Sequence, residues 1–258
     1  MNELLRLLQS HASVRQFTGE QITNEQERII IETAQRSATS SNLQAYSIIG
    51  IRNQSTKDEL AKLTGGQSHV AESSLFLIFC ADLYRLSLLN KTREYPFHGE
   101  YTEVFIVATV DAALAADRAL VAAQALGLGG VMVGGIRNNP VEVGRLVNLP
   151  ELVYPVMGMS LGYPPKTPKA KPRLPMDGIY HRETYSSEQF ESVVMEYDKT
   201  IHELGYLKGR EVNRDNYKDF DDLYSWSEHS ARRMATTDQG TLRGHMLGYL
   251  KERGFLRK

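Results

Sequence analysis

Cysteine is nearly absent: Cys80 is the only one in 258 residues. That excludes an intrachain disulfide and a cysteine-based zinc cluster. Neither sign of charge is in surplus, since 30 Lys and Arg against 31 Asp and Glu leave a net charge of −1. No global basic field is available for nucleic acid or an anionic membrane. No run approaches the roughly 18 uncharged apolar residues of a bilayer span. Met1-Asn2-Glu3-Leu4-Leu5-Arg6 has an early acid and a short apolar stretch, so it does not read as a signal peptide. The seven histidines, at 11, 69, 98, 181, 202, 229 and 245, contain neither H-E-x-x-H nor H-x-H, which argues against a metal centre. The glycines at 127, 129, 130, 134 and 135 do not form G-x-G-x-x-G, so a Rossmann dinucleotide fold is not supported. Hydrophobic residues at 41% and charged residues at 24% are ordinary globular proportions. What remains is an intracellular, cytoplasmic, mixed α/β enzyme or ligand-binding protein of one large or two small domains.

The patterning that is present supports this. Thr23 and Gln26 form a capping box ahead of Ile29, Ile30, Ile31 and Ala34. Residues 37–42 are all small or polar and read as a loop. Tyr46 to Ile51 reads as a strand, and Ser55 as the cap of a short helix stopped by Gly65-Gly66. The apolar run Leu75 to Ala81 suits a strand covered on both faces. Residues 83–100 are polar and read as a mobile excursion. From Thr102 to Leu126 an Ala-rich helix has apolar residues nearly all round, so it is expected to be central. A short strand at 130–133 exits into Gly134-Gly135. Asn139-Pro140 starts a helix with asparagine as its cap. Val153 to Leu161 forms another strand. Five of nine prolines fall between 164 and 175, so that stretch is extended. A helix over about 188–204 comes next, then a highly charged tail.

Two polar clusters suggest a ligand. His11, Ser13 and Arg15 stand at alternate positions, which in an extended segment points them the same way. Lys171-Pro172-Arg173 repeats that spacing on a proline-stiffened backbone. Cations on stiff segments suit a phosphate, and Thr39-Ser40-Ser41-Asn42 and Gln67 add short hydrogen-bonding side chains. The alternative for each cluster is ordinary solvated surface charge. A competing string, Gly158-Met159-Ser160-Leu161-Gly162, matches the G-x-S-x-G nucleophile motif, with Asp177 and His181 coming after it in hydrolase order. Tyr163-Pro164-Pro165 directly after it forbids the helix such an elbow requires. Cys80 reads as a buried inert thiol.

His11-Ala-Ser-Val-Arg-Gln-Phe17, Ser40-Ser-Asn-Leu-Gln44, Leu63-Thr-Gly-Gly-Gln67, Gly127-Leu-Gly-Gly130, Gly134-Gly-Ile-Arg-Asn-Asn139 and Lys171-Pro-Arg-Leu-Pro175 occur in that order. Together they resemble the FMN-dependent, oxygen-insensitive NADPH nitroreductase and flavin reductase family, over roughly residues 1–215. The resemblance implies an α+β nitroreductase-like fold, with a mixed central sheet flanked by helices, closed into an intertwined homodimer with two interface FMN sites. It implies an FMN-binding core over 1–204 and, over 205–258, a basic loop and helical extension packing on core and partner. His11, Ser13 and Arg15 would meet the phosphate and ribityl end of FMN, Thr39 would offer a hydroxyl, and Gln67 would lie near the ring. Gly134 and Gly135 would let the backbone approach the isoalloxazine, and Lys171 and Arg173 would complete the phosphate site. Arg210 and Arg214, in the loop Lys208-Gly-Arg-Glu-Val-Asn-Arg214, would meet the 2′-phosphate of NADPH.

The activity implied is transfer of a hydride from NADPH to FMN N5, then of an electron pair to a small acceptor such as a nitroaromatic, a quinone or free flavin, in ping-pong order. No side chain is assigned as catalytic acid or base. A non-catalytic flavin sensor and a serine hydrolase at Ser160 are the alternatives.

Overall fold

The computed structural model describes residues 2–166, 168–209 and 224–258. The chain divides into two compact units, Met1–Lys169 with Arg243–Lys258, and Ala170–Leu242. The first contains α1 (Glu3–Gln9), α2 (Asn24–Ala34), β1 (Tyr46–Ile51), α3 (Gln54–Leu63), α4 (Ser68–Glu72), β2 (Leu75–Asp82), α5 (Tyr84–Thr92), α6 (Thr102–Ala125), β3 (Gly129–Val133), α7 (Pro140–Leu146), β4 (Val153–Gly162) and α11 (Met246–Glu252). The second contains α8 (Phe190–Glu203), α9 (Trp226–Ala235) and α10 (Gln239–Leu242).

The strands form one sheet in the order β1-β2-β4-β3. The class is α+β as expected. Every pairing among the described residues is antiparallel, however, where a mixed sheet was expected. Every residue of β2 is buried, and period-two alternation divides its side chains between two cores. Leu75, Leu77 and Phe79 join Ile30 of α2 and the alanines of α6. Phe76, Ile78 and Cys80 face Leu60 of α3, Val70 of α4 and Val143 of α7. Burial pushes the Cys80 thiol up to about 12, so it is the inert core residue its sequence setting suggested. A bulge in β4 skips Val156 between Met157 and Pro155 in the pairing with β2. The Val156 carbonyl accepts a hydrogen bond from Arg137 instead.

The central helix is central on one side only. Ala108, Ala112, Ala115, Ala116, Ala119 and Ala123 are fully buried, and their small side chains let α6 lie close to β2 and α2. Ile106, Val110 and Leu114, at four-residue spacing, are 46%, 48% and 42% exposed and form an apolar stripe along the opposite side.

Local signals hold at α2, where both halves of the Thr23–Gln26 capping box are made. They shift at α3, which begins two residues earlier than read, with the Asn53 side chain accepting from Thr56 N. At α7 Asn139 occupies the cap position but its side chain donates to the Leu63 carbonyl, at 2.7 Å, rather than capping. Residues 83–100 are not a simple excursion: Leu83 is fully buried and α5 comes directly after it.

The compact units also divide the chain elsewhere than at 204/205. In the second unit Tyr197 and Ile201 of α8 pack with Leu207, Leu174, Tyr224 and Trp226, so α8 belongs with the segment leading into α9 rather than with the sheet. The last residues return to the first unit. Phe255 is fully buried against the α6 side of the sheet, and Leu152 N donates to the Arg253 carbonyl.

Candidate functional site

Residues 11–18 run extended beside β3 and β4. Val14 N donates to the Gly130 carbonyl and Thr18 N to the Tyr163 carbonyl, both at 2.9 Å. Ala12 and Val14 are buried, His11 and Ser13 are partly exposed, and Arg15 is exposed. The alternation read from the sequence is therefore present, with the polar residues sharing the outer side. Gly129 makes the close approach possible, because a Cβ there would lie 2.6 Å from the Val14 side chain. His11 Nδ1 is 3.0 Å from Gln124 Nε2 of α6. Neither Ser13 nor Arg15 has a hydrogen-bonding partner for its side chain among the described residues.

A second group sits where β4 meets α4. Gln67 precedes α4 and donates from Nε2 to the Thr64 carbonyl at 2.7 Å. Its Oε1 lies 3.1 Å from His69 Nε2, and His69 Nδ1 lies 3.1 Å from Ser160 Oγ. Ser160 is paired with Phe76 and Val131 in the middle of the sheet and is fully buried. Burial holds the His69 pKa below its ordinary value, the charge of Arg15 acts in the same direction, and Glu72 opposes them. The guanidinium of Arg15 is thus within electrostatic reach of His69. His69 was not among the residues read as functional from the sequence.

This geometry removes the hydrolase reading. A nucleophile elbow needs a strand–turn–helix corner, and Gly158–Gly162 all lie in β4. The imidazole beside Ser160 belongs to His69, whereas Asp177 and His181 fall in the other unit. Behind His69 stands a carboxamide, which cannot stabilise an imidazolium as a carboxylate does.

β3 leads from this corner into Gly134 and Gly135, and the two glycines differ. A Cβ on Gly135 would lie 2.4 Å from Gln67 Nε2 and 2.4 Å from the Thr64 carbonyl oxygen. The protein itself fills that space. A Cβ on Gly134 would meet only Arg137, at 3.4 Å. Of the two, Gly134 alone leaves room for a ligand.

The loop after α2 is strained. Ser41, Asn42 and Gln44 have φ of 47°, 56° and 52°, in the left-handed region that L residues disfavour. Asp111 of α6, 1% exposed, holds this loop: its two oxygens accept from Ser40 N and Ala45 N, each at 3.0 Å. Thr39 stands just before the pinned segment in extended conformation, and its side chain makes no capping bond. Asp111 was missed from the sequence. A carboxylate set directly between Val110 and Ala112 in an Ala-rich helix was its signal, since a buried charge requires donors.

Lys171 and Arg173 lie in the second unit, and both are exposed. The Lys171 ammonium contacts the Tyr206 hydroxyl and sits 4.4 Å from the centre of its ring. Arg173 turns back onto the carbonyls of Lys171 and Pro172, at 3.0 and 3.2 Å, and Tyr197 also donates to the Pro172 carbonyl. Arg210 and Arg214 lie outside the described residues.

One antiparallel α+β unit thus carries a cation and a hydroxyl without side-chain partners among the described residues, Arg15 and Ser13, and an anchored carboxamide, Gln67, groups of the kind that bind an anionic, polar cofactor. The chain belongs to the nitroreductase family: the family model "Nitroreductase family" matches residues 8–163, and "Nitroreductase family, C-terminal domain" matches 171–258. It is 36% identical over 259 residues to an FMN reductase (NADPH) of Bacillus subtilis, covering 99% of each chain. It is 36% identical over 255 residues to an oxygen-insensitive NADPH nitroreductase of Salmonella typhimurium, again over 99% of each. Among solved structures, the NADPH:FMN oxidoreductase of Vibrio harveyi complexed with NAD+ superposes with a TM-score of 0.86 at 30% identity, covering 100% of both chains. No described helix is long and apolar enough to cross a membrane.

Proposed function

We propose that this chain is an FMN-dependent oxidoreductase that draws reducing equivalents from NADPH and delivers them in pairs to small acceptors, among them nitroaromatics, quinones and free flavins. The observation that carries the reading is Arg15, exposed and without a side-chain partner among the described residues, on a segment whose Ala12 and Val14 are buried, in a chain of the nitroreductase family. FMN fits the donor set. Its phosphate carries close to two negative charges and suits a guanidinium, and its ribityl chain and ring edge accept hydrogen bonds.

When bound, FMN supplies two-electron redox chemistry that no side chain here can provide. Arg15 meets the phosphate, with Lys171 and Arg173 the further cations for it. His11 and Ser13 serve the phosphate and ribityl end, and Thr39 adds a hydroxyl. Gln67 keeps one carboxamide N–H beyond the one given to Thr64, and turns it to the ring. Gly134 leaves the backbone uncovered for close approach. Gly135 serves by accommodating Gln67 rather than by facing the ring. Arg210 and Arg214 select NADPH by meeting its 2′-phosphate, the one group that NADH lacks.

The protein works in the cytoplasm as a homodimer. Its apolar stripe Ile106, Val110 and Leu114 is the surface a second copy covers, which accounts for apolar residues all round α6. Purified protein should be yellow, should release FMN on extraction, and should oxidise NADPH when a quinone or nitroaromatic is added. Extraction of FAD, or of no flavin, refutes the proposal. Arg15→Ala should weaken FMN by about 1.5–3 kcal/mol, the scale of a hydrogen bond to a charged group.

A further inference from the structure

Three buried or half-buried side chains behind the site form a continuous relay. Its proton positions are dictated by chemistry. Gln67 gives Nε2–H to the Thr64 carbonyl, so the atom it turns to His69 is Oε1, which can only accept. His69 must therefore carry its proton on Nε2. Nδ1 is then unprotonated, and the Ser160 hydroxyl donates to it. Each of these polar atoms has a role, and each role fixes the next.

We infer that His69 is a positioning residue for the flavin site: in its Nε2–H form, oriented by Ser160, it holds the Gln67 carboxamide in the orientation that presents the remaining N–H to FMN. The inference rests on the flavin contact proposed for Gln67. Its physical basis is entropy. A free Gln side chain has three rotatable bonds, and freezing them on binding costs conformational freedom. Anchoring both ends of the carboxamide beforehand removes most of that cost from the binding step. The fold bears the burden in advance, through a serine whose hydroxyl would otherwise be orphaned in the sheet.

Two near-isosteric substitutions separate the relay's halves. Glutamine places its amide nitrogen near the position of a histidine Nε2. Asparagine places its amide near Nδ1. His69→Gln therefore keeps the donor to Gln67 and gives up Ser160, whereas His69→Asn keeps Ser160 and gives up Gln67. FMN dissociation is measured on full-length holoprotein, from recovery of free-flavin fluorescence on dilution, with the unfolding midpoint of each variant recorded beside it. His69→Asn should raise the Kd for FMN roughly 2- to 13-fold, the range one neutral hydrogen bond supplies. His69→Gln should stay within about twofold of the parent, and with Gln67→Ala already in place His69→Asn should change nothing further. Equal weakening by both substitutions, or a His69→Asn effect that persists in the Gln67→Ala background, overturns the inference. The same background separates it from the underlying reading: if Gln67→Ala alone leaves FMN affinity unchanged, the flavin contact of Gln67 fails. If Gln67→Ala weakens FMN and His69→Asn does not, only the positioning role fails. Should His69→Asn not fold, His69→Leu tests the same coupling: it should raise the Kd for FMN in the parent and change nothing further when Gln67 is Ala, and either no rise or a rise that persists overturns the inference.

Discussion

Gly134 and Gly135 are adjacent, yet alanine should act on them through different physics. At Gly135 the added methyl would sit 2.4 Å from the Thr64 carbonyl oxygen and 2.4 Å from Gln67 Nε2. The end of Gln67 can swing away. The Thr64 carbonyl cannot, because it is backbone and Asn138 Nδ2 also donates to it at 3.2 Å. Either the Gly65–Gln67 turn or the exit of β3 must shift, and overpacking of that kind costs about 1–3 kcal/mol. At Gly134 the methyl meets only the Arg137 guanidinium at 3.4 Å, an ordinary contact with the end of a flexible chain. Neither glycine has a left-handed φ, so backbone strain does not enter. The expected result is a crossed pattern. In urea unfolding of flavin-free protein, Gly135→Ala loses about 1–3 kcal/mol, and Gly134→Ala stays within about 0.5 kcal/mol, as surface changes do. In FMN binding both variants weaken, Gly135→Ala by dislodging Gln67 and Gly134→Ala by standing between backbone and ring. Equal destabilisation of the flavin-free protein by the two would refute the packing argument. Unchanged FMN affinity in Gly134→Ala would refute the placement of the ring.

Other contacts carry their own expectations. Asp111→Asn sets an amide N–H against a backbone N–H of the 40–45 loop, so it should lose about 1.5–3 kcal/mol in urea unfolding; an unchanged midpoint would show the loop does not depend on Asp111. His69 has its folded-state pKa lowered by burial and by Arg15, so below about pH 6.5 the unfolded chain takes up a proton that the folded chain still refuses. Stability should therefore fall with acidification through that window, and His69→Gln should flatten the fall; an acid limb identical in parent and variant counts against it. Val110→Glu, in the exposed stripe of α6, should turn a sedimenting dimer into monomer, and a dimer that survives this change at micromolar concentration places the interface elsewhere.

Where burial is decided within one element, the sequence was sufficient. β2 could be read as covered on both faces because the run Leu75 to Ala81 is wholly apolar, and the 11–15 alternation survives because Ala12 and Val14 do face inward. The capping box at Thr23 is local chemistry and appears as written. Reading failed where a partner lies far along the chain. Asn139 carries the residue type of a cap, but its side chain is drawn off by the Leu63 carbonyl, 76 residues away in sequence. Residues 83–100 look like loop by polarity, yet α5 forms there behind a fully buried Leu83. For α6 the apolar circumference predicted burial correctly in kind. Composition could not say which stripe a chain covers for itself, and only the alanine side is covered within this one.

The two residues that sequence reading missed, Asp111 and His69, share one physical situation. Each is a polar side chain on a regular element, with nearly all its surface removed from water, and each hydrogen-bonds a segment beside a candidate cofactor contact: Asp111 through both oxygens, His69 through Nε2 to Gln67 while Nδ1 meets Ser160 of β4. Burying such a group without partners costs several kcal/mol, so the fold tolerates it only with the loop in place. The dependence runs both ways. The loop at 40–45 holds three left-handed residues that would relax without an acceptor for its amide groups, and Asp111 supplies that acceptor. Gln67 could take many rotamers, and His69 leaves it one. A loop alone cannot hold a cofactor contact to within a fraction of an ångström, but one tied to a helix or a central strand by a buried polar group can. The candidate contacts are recognisable in the sequence because their types match a phosphate and a ring. The residues that make them rigid are not, because their function exists only in the folded chain, where the buried side of α6 comes within hydrogen-bonding distance of one loop and β4, through Ser160, holds the imidazole that meets Gln67.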